Sequence, residues 1–238
     1  MPLQKYFSEF EIDIDVVICV DASANMRNVI DKVKADILSF PKKYCDQMDD
    51  IEMPVEQFRV KLIVFGNYKD DSQLTYESEF FVLPDQHDKF SSFVNSIEVD
   101  EGRVTATDAL NAIERALKSD WADFSVKAGK CRQIIMMFTN SSMETVNKAI
   151  STDKPSVDIA DQLEKLCLMV SHDGPEGSKF RYRRFRCAVF APEIFPWTEI
   201  PSWERSALFP FYTELDRLNN DCDWMEEAIF FMTTGWCR

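Results

Sequence analysis

Glycine is scarce in this chain, with six in 238 residues, and histidine is scarcer, with two. No G-x-G-x-x-G and no G-x-x-x-x-G-K-S/T occurs, so the backbone cradles that hold dinucleotides and nucleotide phosphates have no support. The seven cysteines (Cys19, Cys45, Cys131, Cys167, Cys187, Cys222 and Cys237) are odd in number and include no C-x-x-C pair. With Cys19 and Cys187 inside apolar runs, they read as reduced intracellular thiols used as small hydrophobes. No apolar stretch approaches bilayer-spanning length, and Met1 to Phe10 lacks the basic-then-apolar layout of a secretion signal. The expectation is a soluble, cytoplasmic chain with no membrane partner. Lysine and arginine together number 27 against 41 acids, and the net charge of −14 disfavours nucleic acid as a partner.

What the chain does have is core. Hydrophobic residues make up 45% of it and phenylalanine alone contributes 19, enough to fill a large interior. At this length one domain over 1–238 is expected, with a core from about 12 to 192 and an aromatic loop and helix over 193–238. The organising stretch is Val16-Val17-Ile18-Cys19-Val20, an unbroken apolar run of the kind a strand covered on both faces shows. It ends in Asp21-Ala22-Ser23-Ala24-Asn25-Met26. An acid and a hydroxyl where a buried parallel strand meets a helix stand where open α/β sheets bind ligands.

Around that strand, apolar runs and helical stripes alternate. Glu11, Asp13 and Asp15 read as the solvated face of its lead-in. A helix carries Val29, Val33, Ile37, Phe40 and Tyr44 at helical spacing, with Pro41 expected to kink or end it and 46–50 a loop. A second strand covers 58–66, and a third from Glu77 to Leu83 returns antiparallel beside it. A short helix holds Phe90, Phe93, Val94 and Ile97, and another Leu110, Ile113 and Leu117. A strand over 132–138 ends in Thr139-Asn140-Ser141-Ser142. A helix with Ile159, Leu163, Leu166 and Val170, a strand over 185–192 and a last helix with Met225, Ile229 and Met232 complete the order. The fold class expected is α/β: a doubly wound, mostly parallel sheet with one antiparallel edge strand and helices on both faces.

The run from Asp21 to Met26 resembles the D-x-S-x-S motif that ends the first strand of von Willebrand factor type A (vWA) domains. Phe65-Gly66 is similar to the end of their second strand, and the element order fits from about Ile12 to Pro192. The tract from Ala191 to Trp203 and the final helix resemble the cytoplasmic bacterial branch of that family, of the tellurium-resistance (TerY-like) kind. The resemblance implies a Rossmann-like fold and a metal-ion-dependent adhesion site at the C-terminal edge of the sheet. Carried over residue by residue, that site is degenerate. Asp21 and Ser23 match, and Asn25 replaces a serine. The loop ligand falls on Val104, which has no donor atom, or with a one-residue shift on Thr105. Asn140 stands where the family has an aspartate. Asp21 is then the only carboxylate among the five positions, whereas Mg²⁺ and Mn²⁺ favour carboxylate oxygens. No cofactor is expected. The reading weighed against this keeps Mg²⁺ or Mn²⁺ on Asp21, Ser23, Asn25, Thr105 and Asn140.

The stretch Lys179 to Arg186 interleaves bases with aromatics and reads as solvated protection of a sheet edge. The Trp197–Trp203 tract is a candidate partner-binding surface, since aromatics are enriched at interfaces, with packing over the sheet end as the alternative. His87 and His172 lie near no nucleophile motif, Ser141 and Ser142 lack the small-residue elbow of hydrolases, and Asp21 opens no D-x-D-x-T pattern. The chain therefore reads as a non-enzymatic module that binds another protein. Ser23, Asn25, Thr105, Asn140, Trp197 and Trp203 are the contacts, and the polar positions otherwise form a hydrogen-bonded cluster capping the helix near Arg27. A metal-dependent phosphoesterase-like enzyme is the alternative from a different class.

Overall fold

The computed structural model describes residues 11–66, 75–99, 109–122, 131–141, 159–171, 184–210 and 223–235. β1 (Ile12–Asp21) is buried along its whole length and lies between β2 (Val55–Phe65) and β5 (Cys131–Phe138), parallel to both. Outward from β5 come β6 (Phe185–Ala191) and β7 (Ser206–Pro210), also parallel. On the other side β2 carries two short antiparallel strands, β3 (Tyr76–Glu77) and β4 (Phe81–Leu83). The antiparallel return is thus present in two pieces. Between them the Ser78 hydroxyl accepts from Leu62 N and Ser78 N donates to Leu62 O, each at 3.0 Å, so a side chain stands in for a ladder partner.

Strand alternation sends two sets of side chains to opposite faces. Ile14, Val16, Ile18 and Val20 of β1 join one core under α1 (Ile30–Asp50), α2 (His87–Asn95) and α5 (Trp224–Thr234). Val17 and Cys19 join the other, under α3 (Ala109–Leu117), α4 (Ile159–Ser171) and the 3₁₀ turn Trp197–Ser202. The sheet is doubly wound and mostly parallel, with helices on both faces. Five thiols (Cys19, Cys45, Cys131, Cys167 and Cys187) are free, and burial pushes that of Cys187 up to about 12. Cys222 and Cys237 lie outside the described residues. No helix among the described residues is long and apolar enough to cross a membrane.

Four expectations change. α1 runs through Pro41 to Asp50 rather than ending there, because Phe40, Tyr44 and Met48 continue its buried stripe, with Pro41 half-buried at the edge of that stripe. β7 lies inside the tract read as irregular. Asp13 and Asp15 are not solvated: they are 5% and 1% exposed. The Asp15 carboxylate takes a two-pronged contact from Arg59 (2.7 Å from Nε, 2.5 Å from Nη2) and a third bond from Ala122 N at 2.7 Å. Finally, Arg186 does not guard an edge, because β6 is paired on both sides and Arg186 is 6% exposed. Residues 179–183 of the basic stretch lie outside the described residues, and Arg184 is half-buried.

Candidate functional site

The connection leaving β1 enters α1 on one face of the sheet, and α4, which follows β5, covers the other. A crevice opens at such a switch point, beyond the carboxyl ends of the two strands. Asp21 ends β1 inside it, held by Ala22 N donating to Phe65 O at 2.7 Å. Thr139 follows β5 and donates its N–H to Phe190 O at 3.0 Å. Thr139 and Ser141 both aim their hydroxyls at Asp21.

Three donors converge on the Asp21 carboxylate. Oδ1 accepts from Ser23 N, and Oδ2 accepts from the hydroxyls of Thr139 and Ser141, each at 2.8 Å. The first is the turn that short carboxylate side chains form with the backbone two residues on. Asp21 is fully buried, and Ser23, Thr139 and Ser141 are at most 1% exposed. Burial pushes the Asp21 carboxyl above its usual value, and the hydrogen bonds from Ser23, Thr139 and Ser141 pull the other way. Donors aimed at both oxygens suit the ionised form.

The proton arrangement follows from counting. Ser141 has one hydroxyl hydrogen, given to Asp21, so in its 3.2 Å contact with Ser23 Oγ it accepts. It also accepts from Asn25 Nδ2 at 3.2 Å. Both lone pairs of Ser141 Oγ are then taken. Thr139 Oγ1 accepts from Ser141 N at 3.2 Å, and the indole of Trp197 donates to Ser141 O at 3.0 Å. Ser141 is the hub of the cluster.

The ions that the vWA resemblance implies, Mg²⁺ and Mn²⁺, need several free oxygen donors, with carboxylates favoured. Among the described residues Asp21 is the sole carboxylate here, Asn25 turns its nitrogen inward, and the lone pairs of Ser141 are spent within the cluster. As arranged, these residues do not fit such a cation. Among the described residues no group of three or more His, Cys, Asp or Glu is gathered anywhere.

The structure brings Asp21, Ser23 and Asn25 together as the sequence suggests. Asn140 is displaced from the centre: its Nδ2 donates to Asn25 O at 3.2 Å. Thr105, like Val104, lies outside the described residues. Capping of α1 by this cluster is not seen, because Val29 occupies the cap position without a side-chain bond. Ser23, Trp197 and Trp203 are corrected as contact residues: at 0%, 0% and 3% exposure they are interior, with the Trp197 indole bonded to Ser141 O. The exposed apolar residues of that loop are Ile194 at 41% and Phe195 at 49%. Phe195 borders a groove of about 290 Å³ whose far wall is Leu163, Glu164 and Cys167 of α4. Thr139 and Ser141 were legible as a T-x-S directly after a buried strand. Nothing in the sequence separates Phe195 from its buried neighbours.

No protein-family profile matches the chain, and no curated protein does. Among solved structures, similarity is found to a von Willebrand factor type A protein from Catenulispora acidiphila, at 10% identity and a TM-score of 0.46, covering 92% of this chain and 43% of that one. The pilus adhesin SpaC from Lactobacillus rhamnosus GG, in its open conformation, is similar at 16% identity and a TM-score of 0.37, covering 54% of this chain and 14% of that one. The chain thus matches less than half the length of either structure.

Proposed function

We propose that the chain is a non-enzymatic, cytoplasmic interaction module of the vWA type that receives a partner protein at the C-terminal edge of its sheet. On this reading the adhesion site is degenerate, and the Asp21 cluster is a closed framework that fixes the β1 and β5 loops without a metal. The observation that carries it is the commitment of Ser141 Oγ, with one bond donated to Asp21 and two accepted from Ser23 and Asn25. Around that framework the exposed rim combines an amide, Asn25, with the apolar Ile194 and Phe195, a mixture suited to a protein surface. Ser141 does not serve as a nucleophile here: it is 1% exposed and its hydroxyl points to a carboxylate, with no histidine in the cluster among the described residues.

The test is site-specific photo-crosslinking in an extract of the source cells. Probes replace Phe195 and Asn25 at the rim and Lys42 on α1, whose side chain is 82% exposed. The same discrete adduct is expected from both rim positions and not from position 42. Adducts spread equally over all three would count against a partner-binding edge.

A further inference from the structure

At the opposite end of the sheet, three arginines lie on adjacent strands: Arg132 on β5, Arg186 on β6 and Arg205 just before β7. Ile134 pairs with Arg186, and Cys187 with Ser206, so the three stand near one another across the strand starts. Each is two residues before a member of the core under α1 and α5 (Ile134, Ala188 and Ala207). Strand alternation puts Arg132 and Arg186 on that face; Arg205, left-handed at φ +61°, is near enough that its charge acts on the Arg186 guanidinium. α1 adds Tyr44 there, fully buried. α5 closes over the cluster through Gly235, at φ +84°, where a Cβ would come within 3.0 Å of Arg186 Nη2.

Each of these groups keeps a buried polar atom without a partner. The Nε atoms of Arg132, Arg186 and Arg205 and the hydroxyl of Tyr44 have no hydrogen-bond partner. The bonds that Arg132 and Arg186 do make go to the carbonyls of Cys131 and Phe185, at 3.4 and 2.7 Å. Among the described residues no carboxylate pairs with any of the three arginines. Burial, then the neighbouring Arg132 and Arg205, hold the Arg186 guanidinium down at about 10. Buried cations and orphaned donors are costly, and an anion in their midst would remove that cost. A carboxylate has two oxygens to offer. A phosphate group presents three strongly accepting oxygens and matches the guanidinium fork.

We propose that Arg132, Arg186, Arg205 and Tyr44 form a binding site for a phosphate-class oxyanion, free orthophosphate or a small phosphomonoester, at the N-terminal end of the sheet. The site is separate from the Asp21 edge and requires neither a partner protein nor a metal there.

Thermal unfolding tests it, with orthophosphate, phenyl phosphate and sodium chloride compared at matched ionic strength. The wild-type midpoint is expected to rise saturably with phosphate, by roughly 5–10 °C at a hundredfold excess over the dissociation constant, and not with chloride. Tighter binding of the monoester assigns the site to a phosphorylated ligand, and equal or weaker binding to free phosphate. Arg205→Gln, at a half-buried position, is expected to abolish the response, and so is Arg186→Met, which replaces the buried cation by an apolar chain. A phosphate response no larger than that to chloride, or one retained in both variants, would overturn the proposal.

Discussion

At the C-terminal end of the sheet, Asp21 is a fully buried carboxyl group that accepts from a backbone N–H and two hydroxyls at 2.8 Å. At the other end, Arg186 is a cation, 6% exposed, whose Nε bonds nothing and whose charged neighbours share its sign. Both ends bury an ionisable group, but only one completes the hydrogen bonding. A buried group that is satisfied on all sides serves as structure, because changing it strands its partners. A buried group left unsatisfied is open to a ligand, because binding one relieves it. The paired Asp15 and Arg59 extend the contrast: toward the same end as the arginines but on the opposite face, that charge is matched by a two-pronged partner.

Variants can break this contrast, and the largest effect is expected where a matched pair is split. Asp15→Ala leaves Arg59 half-buried without its partner and should cost about 3 kcal/mol, read as a lower urea midpoint at unchanged slope. Next is Asp21→Ala, which strands the Ser23 N–H and the hydroxyls of Thr139 and Ser141 and should cost about 2 kcal/mol. Asp21→Asn, which keeps an oxygen acceptor, should recover about half of that. Equal losses in the two variants would mean that packing, not hydrogen bonding, sets the cost. At the unmatched end, Arg186→Met in phosphate-free buffer should leave stability within about 1 kcal/mol of wild type or raise it. A loss as large as that of Asp15→Ala would show that Arg186 is satisfied after all.

The smallest effect concerns Glu114, which bridges Lys118 and Lys165 at 2.6 and 2.7 Å. The hydrogen bonds from those lysines hold its carboxyl below the ordinary 4.5. A depressed carboxyl contributes stability at pH values above 4.5, lost as pH falls through the folded value. Glu114→Gln should therefore cost less than about 1 kcal/mol at neutral pH, and the gap to wild type should close on acidification below 4.5.

Most of the architecture was legible because burial on both faces leaves a plain signal. Val16–Val20 of β1, Ile134–Phe138 of β5 and Cys187–Ala191 of β6 are unbroken apolar runs, and the stripes on α3 and α5 repeat at helical spacing. β7 was hidden because an edge strand of five residues, half-buried in alternation and ending in Pro210, looks like its irregular surroundings. Pro41 misled because its local cost is outweighed by Tyr44 and Met48, whose burial lies with the tertiary fold. The charges of Asp13 and Asp15 suggested water, while Arg59, 44 residues from Asp15, lets the second sit in the core. In the site, Asp21 and Ser23 were marked by strand position and by the resemblance. Ser141 became the hub only when the register of β1 and β5 brought it beside Asp21. The tryptophans were read by type, but which aromatic of a loop faces solvent is decided by packing that no local pattern encodes.

The reading of the Asp21 cluster as closed is most directly tested by thermal unfolding after chelator treatment, followed by titration with Mg²⁺ and Mn²⁺. A closed cluster predicts a midpoint constant to within about 1 °C, since an ion that does not bind cannot stabilise. A saturable rise of several degrees, absent in Asp21→Asn, would contradict it and establish a working metal site on Asp21.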